Sequence, residues 1–427
     1  MCCGFLVATA KVGKKAMMER SDGIDSVQRE IDPPDLSGSL SGQTLHLVPA
    51  GLVSGMAAAA ALEQGQARLL AGGPLAFTAC EVMICQGERV TATMLPLNRL
   101  RTWAARRGKN MIRGIDSRLD RLSAPRLPFA GLSLDRPRLM GVINVTPDSF
   151  SDGGAFANPY LAIFHALRLK EAGADIIDVG GESTRPNACP VAPAEEIDRV
   201  VPVVRSLAER GVLVSIDTRH AAVMDAAIKA GAAIVNDVSA LTGDPESLPL
   251  VATRKVPVIL MHMQGEPHTM QENPQYRLAP LDICDALAER VAACERAGIT
   301  RADICVDPGI GFGKTVAHTL DIMGRLSVLH VLGCGLLLGV SRKSFIARIS
   351  AAEPPQARLP GSLAATLAGL DQGVGIVRAH DVAETRQAAN VWQALRTGTF
   401  PPCPPQDVVS YPGVCETMTP RNRLPHG

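Results

Sequence analysis

Eight short polar segments of this 427-residue chain each follow an apolar run, and they hold the side chains best suited to chemistry. The first segment, NVTPDSFSDGG, begins at Asn144 and combines an amide with hydroxyls and carboxylates. Polar loops at the ends of buried strands can bind a polar ligand, because they leave the hydrophobic core at one face of the fold. The other seven segments are GGESTRP, SIDT, NDVSA, LMHMQGEPHTMQENPQY, DPGIGFGK, SRKSF and VRAHDV.

Three of these segments supply an acidic and amide-rich set of side chains, Asp217, Asn236 and Asp307. In a partly desolvated pocket, carboxylates and an amide pair well with a planar ligand that offers adjacent N–H donors. The edge of a pterin or a purine fits that description. The alternative is that each carboxylate only caps the helix that follows it. The presence of three such groups on one rim favours ligand binding over helix capping.

A second set is cationic and amide-rich. Asn144, Arg378 and His380 follow the first and last apolar runs, which become neighbours if the strands close into a barrel, and Arg185 follows the second run. These side chains suit a phosphate group, together with a Mg²⁺ ion that takes oxygen ligands from Asn144 and the phosphates. The alternative for His380 is an ordinary position at a helix start, with Asp381 as the N-cap.

The glycine-rich segment DPGIGFGK resembles a Walker A loop but does not match it. The glycine needed five places before Gly313 is Pro308, which argues against an ATPase. The glycines instead allow backbone to approach a flat ligand, and Phe312 supplies an apolar face. After Lys343, Ser344 lies in the first turn of a predicted helix, where a small aromatic acid can meet backbone N–H groups.

The elements that position these segments repeat one unit, in which an apolar run leads to a polar loop and then to an amphipathic helix that ends at glycine. Eight repeats of strand and helix favour a closed (β/α)₈ TIM barrel over an open sheet, because strands this apolar must be covered on both faces. The eight apolar runs are 138–145, 175–180, 212–217, 233–236, 256–262, 303–307, 335–340 and 375–378.

The rest of the chain divides by composition. Residues 106–128 hold seven basic side chains against two acids; we interpret them as a solvated linker, with a nucleic-acid-binding arm as the alternative. A hairpin formed by residues 129–134 and the first strand is expected to cover the lower mouth of the barrel. The predicted organisation is a disordered leader (1–44), a small α+β appendage (45–105), the basic linker (106–128), the pterin-binding barrel (129–396) and a proline-rich tail (397–427).

Charge and cysteine content limit the function classes. The formal net charge of +1 gives no long-range field to attract a polyanion, so we expect small-molecule substrates and no nucleic acid. Eleven cysteines without a CxxC pair indicate free thiols in a reducing compartment. The first residues lack the features of a signal peptide, and the apolar run at 328–340 is too short to span a membrane. We therefore expect a cytoplasmic protein that does not contact membranes.

Together the eight segments resemble the successive signatures of the dihydropteroate synthase family, over residues 138 to about 396. That family consists of TIM-barrel transferases of folate biosynthesis. They join 6-hydroxymethyl-7,8-dihydropterin diphosphate to 4-aminobenzoate with Mg²⁺ and release diphosphate. The resemblance also implies a homodimer, and a dissociative substitution in which diphosphate leaves before the amine attacks.

The resemblance implies a role for each motif residue. Its catalytic set is Asp217, Asp307, Lys343 and Arg378. Its pterin-binding set is Asp217, Asn236, Asp307 and Lys343; its diphosphate-binding set is Asn144, Arg378 and His380, with Asn144 as the metal ligand; and its aminobenzoate-binding set is Thr184, Arg185, Pro186, Phe312 and Ser344.

Two other functions remain open at this point. One is a methyltransferase that passes a methyl group from methyltetrahydrofolate to a corrinoid protein, which would use the barrel but not the STRP loop or the Arg378 and His380 pair. The other is a catalytically silent pterin-binding paralogue. The presence of Asn144, Lys343, Arg378 and His380 argues against it.

Overall fold

The N-terminal part of the chain forms an α+β unit. In the computed structural model, which describes residues 27–29, 43–145, 159–182, 191–266 and 269–399, this unit has one sheet in the order β1-β5-β4-β2, with β3 paired to β4. This confirms the predicted α+β appendage. Its elements are β1 Val27–Arg29, β2 Gln43–Ser54, α1 Gly55–Glu63, β3 Arg68–Leu69, β4 Leu75–Gln86, β5 Arg89–Pro96, α2 Leu97–Ala105 and α3 Lys109–Ser123.

Eight parallel strands follow and close into a barrel, in which the last strand pairs with the first. The predicted TIM barrel is therefore confirmed, and each strand lies within or next to a predicted apolar run. Most strand residues are buried because helices cover the outside of the barrel while side chains fill its inside. The strands are β6 Arg138–Asn144, β7 Ile176–Gly180, β8 Val214–Asp217, β9 Ile234–Asp237, β10 Val258–Met261, β11 Ile304–Asp307, β12 Gly335–Gly339 and β13 Ile376–Ala379.

Helices surround the barrel and return the chain to its lower end. Several end where the sequence predicts, at glycines with positive φ; Gly231, for example, has φ +110° and closes α6 by donating its N–H to Ala227 and Ile228. The helices are α4 Pro159–Glu171, α5 Pro193–Ala208, α6 Ala221–Ala230, α7 Ser247–Arg254, α8 Ala279–Arg296, α9 Val316–Gly324, α10 Ser344–Ile349, α11 Leu359–Leu370 and α12 Val382–Thr397, with 3-10 helices at Arg301–Asp303, Leu326–Leu332 and Pro355–Ala357.

The lower mouth of the barrel is closed by Phe129, which is 1% exposed. It belongs to a separate apolar cluster with one residue from each of seven barrel strands. The hairpin that presents Phe129 is tighter than expected, since Phe129 pairs with Leu132 around a two-residue turn. Strand β6 pairs with β7 and β13 instead of joining this hairpin. The strand residues of this cluster, the lower layer, are Met140, Ile176, Ile234, Ile259, Cys305, Leu337 and Ile376.

The linker prediction for residues 106–128 is wrong, because residues 109–123 form the helix α3. Its buried side chains are Met111, Ile115, Leu119 and Leu122, spaced as one helical face. The charge count of this segment hid that apolar spacing. The alternative of a nucleic-acid-binding arm also loses support, because this face packs into the core.

The predicted leader and tail lie largely outside the described residues, namely at positions 1–26, 30–42 and 400–427. One described part of the leader departs from the disorder expected of it. Val27–Arg29 pairs in parallel with Val90 to Ala92 of β5, which makes it an edge strand of the N-terminal sheet. Within the predicted tail, Thr397 still belongs to α12.

The N-terminal unit packs directly on the barrel. Buried apolar side chains of both units form one continuous cluster. Polar contacts add to it: the Arg325 Nε lies 2.9 Å from the Glu81 Oε2, and the Arg277 Nη1 donates to the Gly87 carbonyl at 3.1 Å. Among the described helices, none combines the length and the apolarity that a membrane crossing requires.

Candidate active site

The polar rim of the barrel lies one layer above the apolar lower layer. Side chains alternate along a strand, so a residue two places further on points to the same side. On four strands, the residue two places after the lower-layer residue is polar. These pairs are Ile176 and Asp178, Ile234 and Asn236, Cys305 and Asp307, and Ile376 and Arg378. The strand pattern therefore directs these four polar side chains into the barrel mouth.

Arg378 joins the acidic side chains of this mouth. Its Nε donates to the Asp178 Oδ2 at 2.7 Å, and its Nη2 donates to the Asp217 Oδ2 at 2.7 Å. The Asn236 Nδ2 also donates to the Asp178 Oδ2, at 3.0 Å. Four side chains from strands β7, β8, β9 and β13 thus form one bonded group. Charge-assisted hydrogen bonds of this length are strong and hold the group in place.

Two carboxylate oxygens of this group are left over. The Oδ1 atoms of Asp178 and Asp217 are buried, and neither has a hydrogen-bond partner within the described ranges. Burial raises the pKa of Asp217 to about 7, although Arg378 acts in the opposite direction. Buried acceptors without partners are rare in folded proteins. Their presence at the mouth of a barrel indicates a ligand that brings N–H donors.

Asp307 forms the opposite wall of the mouth. Its Oδ1 accepts the Gly309 N–H at 2.7 Å, and burial raises its pKa while the nearby Lys343 lowers it. Gly309 has φ +67°, and a Cβ there would lie 2.0 Å from the His262 carbonyl oxygen, so only glycine allows these two loops to touch. The backbone therefore fixes Asp307 between the loops after β10 and β11.

Lys343 points at the same wall. Its Nζ donates to the Ile310 carbonyl and lies 5.0 Å from the centre of the Phe312 ring. Burial lowers the pKa of Lys343 to about 8, and the neighbouring Asp307 opposes that shift. Lys343 can therefore offer N–H donors to a ligand next to the Asp307 carboxylate.

Lys314 is a buried lysine to which the sequence reasoning gave no role. It is 3% exposed. Its Nζ donates to the Phe312 carbonyl at 2.8 Å and to the His262 carbonyl at 3.2 Å, and lies 3.1 Å from the His262 Nδ1. Burial lowers the pKa of Lys314 to about 7, and burial beside Lys314 lowers that of His262 to about 3. Lys314 thus ties the loop after β11 to the loop after β10.

Asn144 and His380 lie on the outer part of the rim. Asn144 is partly exposed at the end of β6. In the sheet register it lies beside Gly180 of β7, and Gly180 lies beside Asp217 of β8. The His380 Nδ1 lies 3.0 Å from the Ser341 Oγ, which also accepts the His380 backbone N–H. The expected division into an acidic half and a cationic half is not complete, because Arg378 hydrogen-bonds to the carboxylates of the acidic group.

Only two of the five predicted aminobenzoate-binding residues lie in the part of the chain that the structure describes. Phe312 is partly exposed beside Lys343, and Ser344 is exposed at the start of α10. Thr184, Arg185 and Pro186 lie outside the described residues.

Sequence reasoning missed Asp178, the buried carboxylate that accepts from Arg378 and Asn236. The polar segments follow the strands, whereas Asp178 lies inside the strand Ile176–Gly180. One signal was available in the sequence, since a carboxylate two places after an inward apolar residue must face the barrel interior. A second missed group is an acidic cluster just outside the mouth, formed by Glu182, Glu196 and His220, which has the composition of a cation site.

Comparison with known proteins agrees with this geometry. The family model described as pterin binding enzyme matches residues 140–380. The chain belongs to this family. Dihydropteroate synthase of Escherichia coli (strain K12) is 45% identical over 264 residues, which cover 62% of this chain and 93% of that relative.

Solved structures of the family show the same likeness. The Xanthomonas albilineans dihydropteroate synthase with 4-aminobenzoic acid is 45% identical with a TM-score of 0.60, and the match covers 64% of this chain and 98% of that one. The same enzyme in complex with 7,8-dihydropteroate is 43% identical with a TM-score of 0.58, at the same coverage. Within the pterin-binding enzymes, the chain therefore belongs to the dihydropteroate synthase family, whose members are transferases of folate biosynthesis.

Proposed function

We propose that the residues of the barrel mouth carry out dihydropteroate synthesis directly. In this reaction the amine of 4-aminobenzoate replaces diphosphate on the methylene carbon of 6-hydroxymethyl-7,8-dihydropterin diphosphate. The observation that carries the proposal is the pair of buried carboxylate oxygens without partners on Asp178 and Asp217, beside Asn236 and Arg378. A pterin edge has the adjacent N–H donors that these oxygens lack.

Pterin binding would use both walls of the mouth. Asp217 accepts N–H donors on one side, and Asn236, held through its Nδ2 by Asp178, presents its carbonyl oxygen beside it. Asp307 and Lys343 on the opposite wall offer an acceptor and a donor next to each other. This arrangement distinguishes the polar edge of a pterin from an apolar ring, because unmatched buried polar groups would be costly.

Loss of diphosphate leaves positive charge on the pterin. Asp178, Asp217 and Asp307 lie around that position, and fixed carboxylates in a water-poor site stabilise developing positive charge without having to reorganise. Arg378 keeps two of these carboxylates in place. The amine then attacks the methylene carbon and loses a proton. No side-chain nucleophile is needed for this route.

The departing diphosphate would bind at the outer rim. We assign it to Asn144, His380 and the exposed side of Arg378, whose side chain is 23% exposed. Asn144 fits a Mg²⁺ site in composition, because Mg²⁺ commonly takes one or two protein oxygens and completes its shell with water and phosphate oxygens. When bound, Mg²⁺ would supply charge neutralisation for the leaving diphosphate.

Aminobenzoate would bind between the second loop and the start of α10. Phe312 supplies an apolar face, and Ser344 lies where backbone N–H groups at the helix start can meet a carboxylate. Thr184, Arg185 and Pro186 complete the proposed pocket.

The test is formation of dihydropteroate by the purified full-length chain with Mg²⁺ and both substrates. We expect product and diphosphate in equal amounts. Tight pterin binding without product would instead support the silent paralogue. Methyl transfer from methyltetrahydrofolate to a corrinoid protein would support the methyltransferase, although the relatives compared above are dihydropteroate synthases.

We further propose a homodimer, as in the family. Val391 and Leu395 support it, because they lie one helical turn apart on α12 with 56% and 79% of their surface exposed. Light scattering of the wild type and of a Val391→Lys, Leu395→Lys double variant tests this: a dimer that becomes a monomer is expected. A cytoplasmic location is also proposed, and the free buried thiols of Cys284 and Cys305 are consistent with it.

A further inference from the structure

An acidic cluster lies just outside the pterin mouth, where three elements converge. Glu182 comes two residues after the end of β7, Glu196 lies in the first turn of α5, and His220 is the residue before α6. Helix α5 can approach this closely because Gly181 has no side chain. A Cβ there would lie 2.8 Å from the Glu196 Cγ. The chain thus brings two carboxylates and an imidazole together on three separate elements.

Three buried polar atoms in this cluster have no hydrogen-bond partner in the part of the chain that the structure describes. They are both carboxylate oxygens of Glu196, which is 0% exposed, and the Nε2 of His220. Burial raises the pKa of Glu196 to about 7, and the Thr218 side chain acts in the opposite direction, but its contact does not meet hydrogen-bond geometry at either carboxylate oxygen. Since more than nine in ten buried polar groups have partners, such a concentration indicates a missing water or ion.

The geometry of the cluster fits a cation. One ligand atom from each of Glu182, Glu196 and His220 lies within 4.8 Å of the other two. The His220 Nε2 and the Glu182 Oε2 are 3.9 Å apart. Ligands of a first-row metal ion lie about 2.0–2.2 Å from the ion, so small side-chain shifts suffice for all three atoms to reach one centre.

Arg219 prepares the cluster for a cation. Its Nε and Nη2 donate to the two oxygens of Glu182 at 3.0 and 3.1 Å and fix the orientation of that carboxylate. Each carboxylate oxygen can accept more than one bond, so Glu182 keeps the capacity to bind a metal. Hydrogen bonds of this kind to ligating carboxylates are typical of metal sites.

We propose that Glu182, Glu196 and His220 bind a divalent first-row transition-metal ion. An imidazole with two carboxylates suits Mn²⁺ or Zn²⁺ better than Mg²⁺, which prefers oxygen ligands and water. The bound ion joins the end of β7 to the starts of α5 and α6. These are the elements next to Asp178 and Asp217, so the ion braces the mouth of the barrel from outside. It is separate from the Mg²⁺ site proposed at Asn144 and needs no diphosphate.

Mn²⁺ is the probe of choice, because Zn²⁺ also binds thiolates and the chain has eleven cysteines. Full-length protein is stripped with EDTA, dialysed against MnCl₂ without substrates, and its bound metal is measured. We expect one equivalent per chain. A rise in the thermal unfolding midpoint is also expected, since a ligand that binds only the folded state stabilises it.

The variants Glu196→Gln and His220→Gln should weaken Mn²⁺ binding by more than about tenfold, the scale at which metal sites respond to a lost partner. Glu195→Gln is the matched control, because Glu195 precedes Glu196 on α5 but is 58% exposed and pairs with Arg199. It should bind Mn²⁺ like the wild type. His220 is partly exposed, so its variant should fold even if Glu196→Gln does not.

The proposal is overturned if the wild type binds no Mn²⁺ at millimolar concentration, or if His220→Gln binds it as tightly as the wild type. Anomalous diffraction from Mn²⁺-soaked crystals gives an independent readout: a peak between the three side chains supports the site, and a peak only elsewhere contradicts it. None of these measurements depends on catalytic activity, so they remain informative whatever the synthase assay yields.

Discussion

The two layers of side chains inside the barrel differ sharply although the same strands carry both. In the lower layer, apolar residues such as Ile176 and Ile376 pack around Phe129. Two places further up, Asp178 and Arg378 are charged, and one carboxylate oxygen of Asp178 has no hydrogen-bond partner among the described residues. A step of two residues therefore separates the layer that stabilises the fold from the layer proposed to bind the ligand, as expected for barrels whose sites lie at the strand ends.

The largest effect should come from the lower layer. Phe129→Ala removes the side chain that closes the lower mouth and leaves a cavity, at a cost of about 3–5 kcal/mol in the free energy of unfolding. Denaturant unfolding measures this loss. The kcat of the molecules that stay folded should change by less than about twofold, because Phe129 packs against the lower layer, one layer below the polar side chains. A large kcat loss in folded protein would show that the two layers are not independent.

In the upper layer, Asp217→Asn is expected to lower activity without lowering stability. It removes one preorganised charge next to the reacting pterin and should lower kcat by roughly 100- to 1,000-fold, about 2.7–4 kcal/mol. The thermal midpoint should not fall, because a raised pKa indicates that ionised Asp217 destabilises the empty protein. Asp225→Asn, which alters an acid paired with surface cations, is the control. Equal activity of both variants would show that the reaction does not need the charge of Asp217.

The pH dependence of stability sharpens the same contrast. The pKa of Asp217 is about 7 in the folded chain against an ordinary 3.8, so the folded state holds its proton more tightly than the unfolded state does. The contribution of this group is therefore fully present below about pH 4 and is lost as the pH rises through about 7. Unfolding curves at several pH values should show a smaller slope in Asp217→Asn than in the wild type, because the raised pKa of Glu196, also about 7, still contributes in the variant. Phe129→Ala should keep the wild-type slope.

A smaller effect is expected for Lys314→Met, which keeps the length of the side chain but removes its donors. Hydrogen bonds to a charged group contribute about 1.5–3 kcal/mol each. The expected loss in kcat/KM is of that order, roughly ten- to hundredfold. The reason is that Phe312 and the loop beside Asp307 are no longer bonded to His262 through the lysine. Steady-state kinetics should show part of this loss as a higher KM for the pterin substrate. Lys229→Met on the surface is the control. Unchanged kcat/KM would mean that Gly309 alone holds the two loops together.

Much of this arrangement could be predicted from the sequence, for identifiable reasons. Strand runs, glycine-ended helices and polar loops are local patterns, and eight repeats leave few folds open. Asp217, Asn236 and Asp307 were predictable because they come at strand ends. Asp178 was missed because it lies within a strand, where only the alternation of side chains reveals which way it points.

Other features depend on contacts across the fold, which local patterns do not contain. The charge and strand position of Arg378, together with the resemblance, predict a diphosphate contact, but they do not reveal that its guanidinium reaches across the mouth to Asp178 and Asp217. The bond between Lys314 and His262 joins residues 52 positions apart. Helix α3 was mistaken for a linker because its many charges face away from the four apolar residues that it buries.

The plug formed by Phe129 has a practical consequence for anyone who shortens this chain. The region recognised by the family model begins at residue 140, so a fragment cut to that boundary would lose the aromatic ring that closes the lower end of the barrel. Water would then reach the apolar floor, and the exposed opening would invite aggregation. Trimmed versions should keep the chain from upstream of Phe129, which also preserves Arg138 and Leu139 of β6. Comparing the solubility of such a fragment with and without Phe129→Ala gauges how much this one ring protects the barrel.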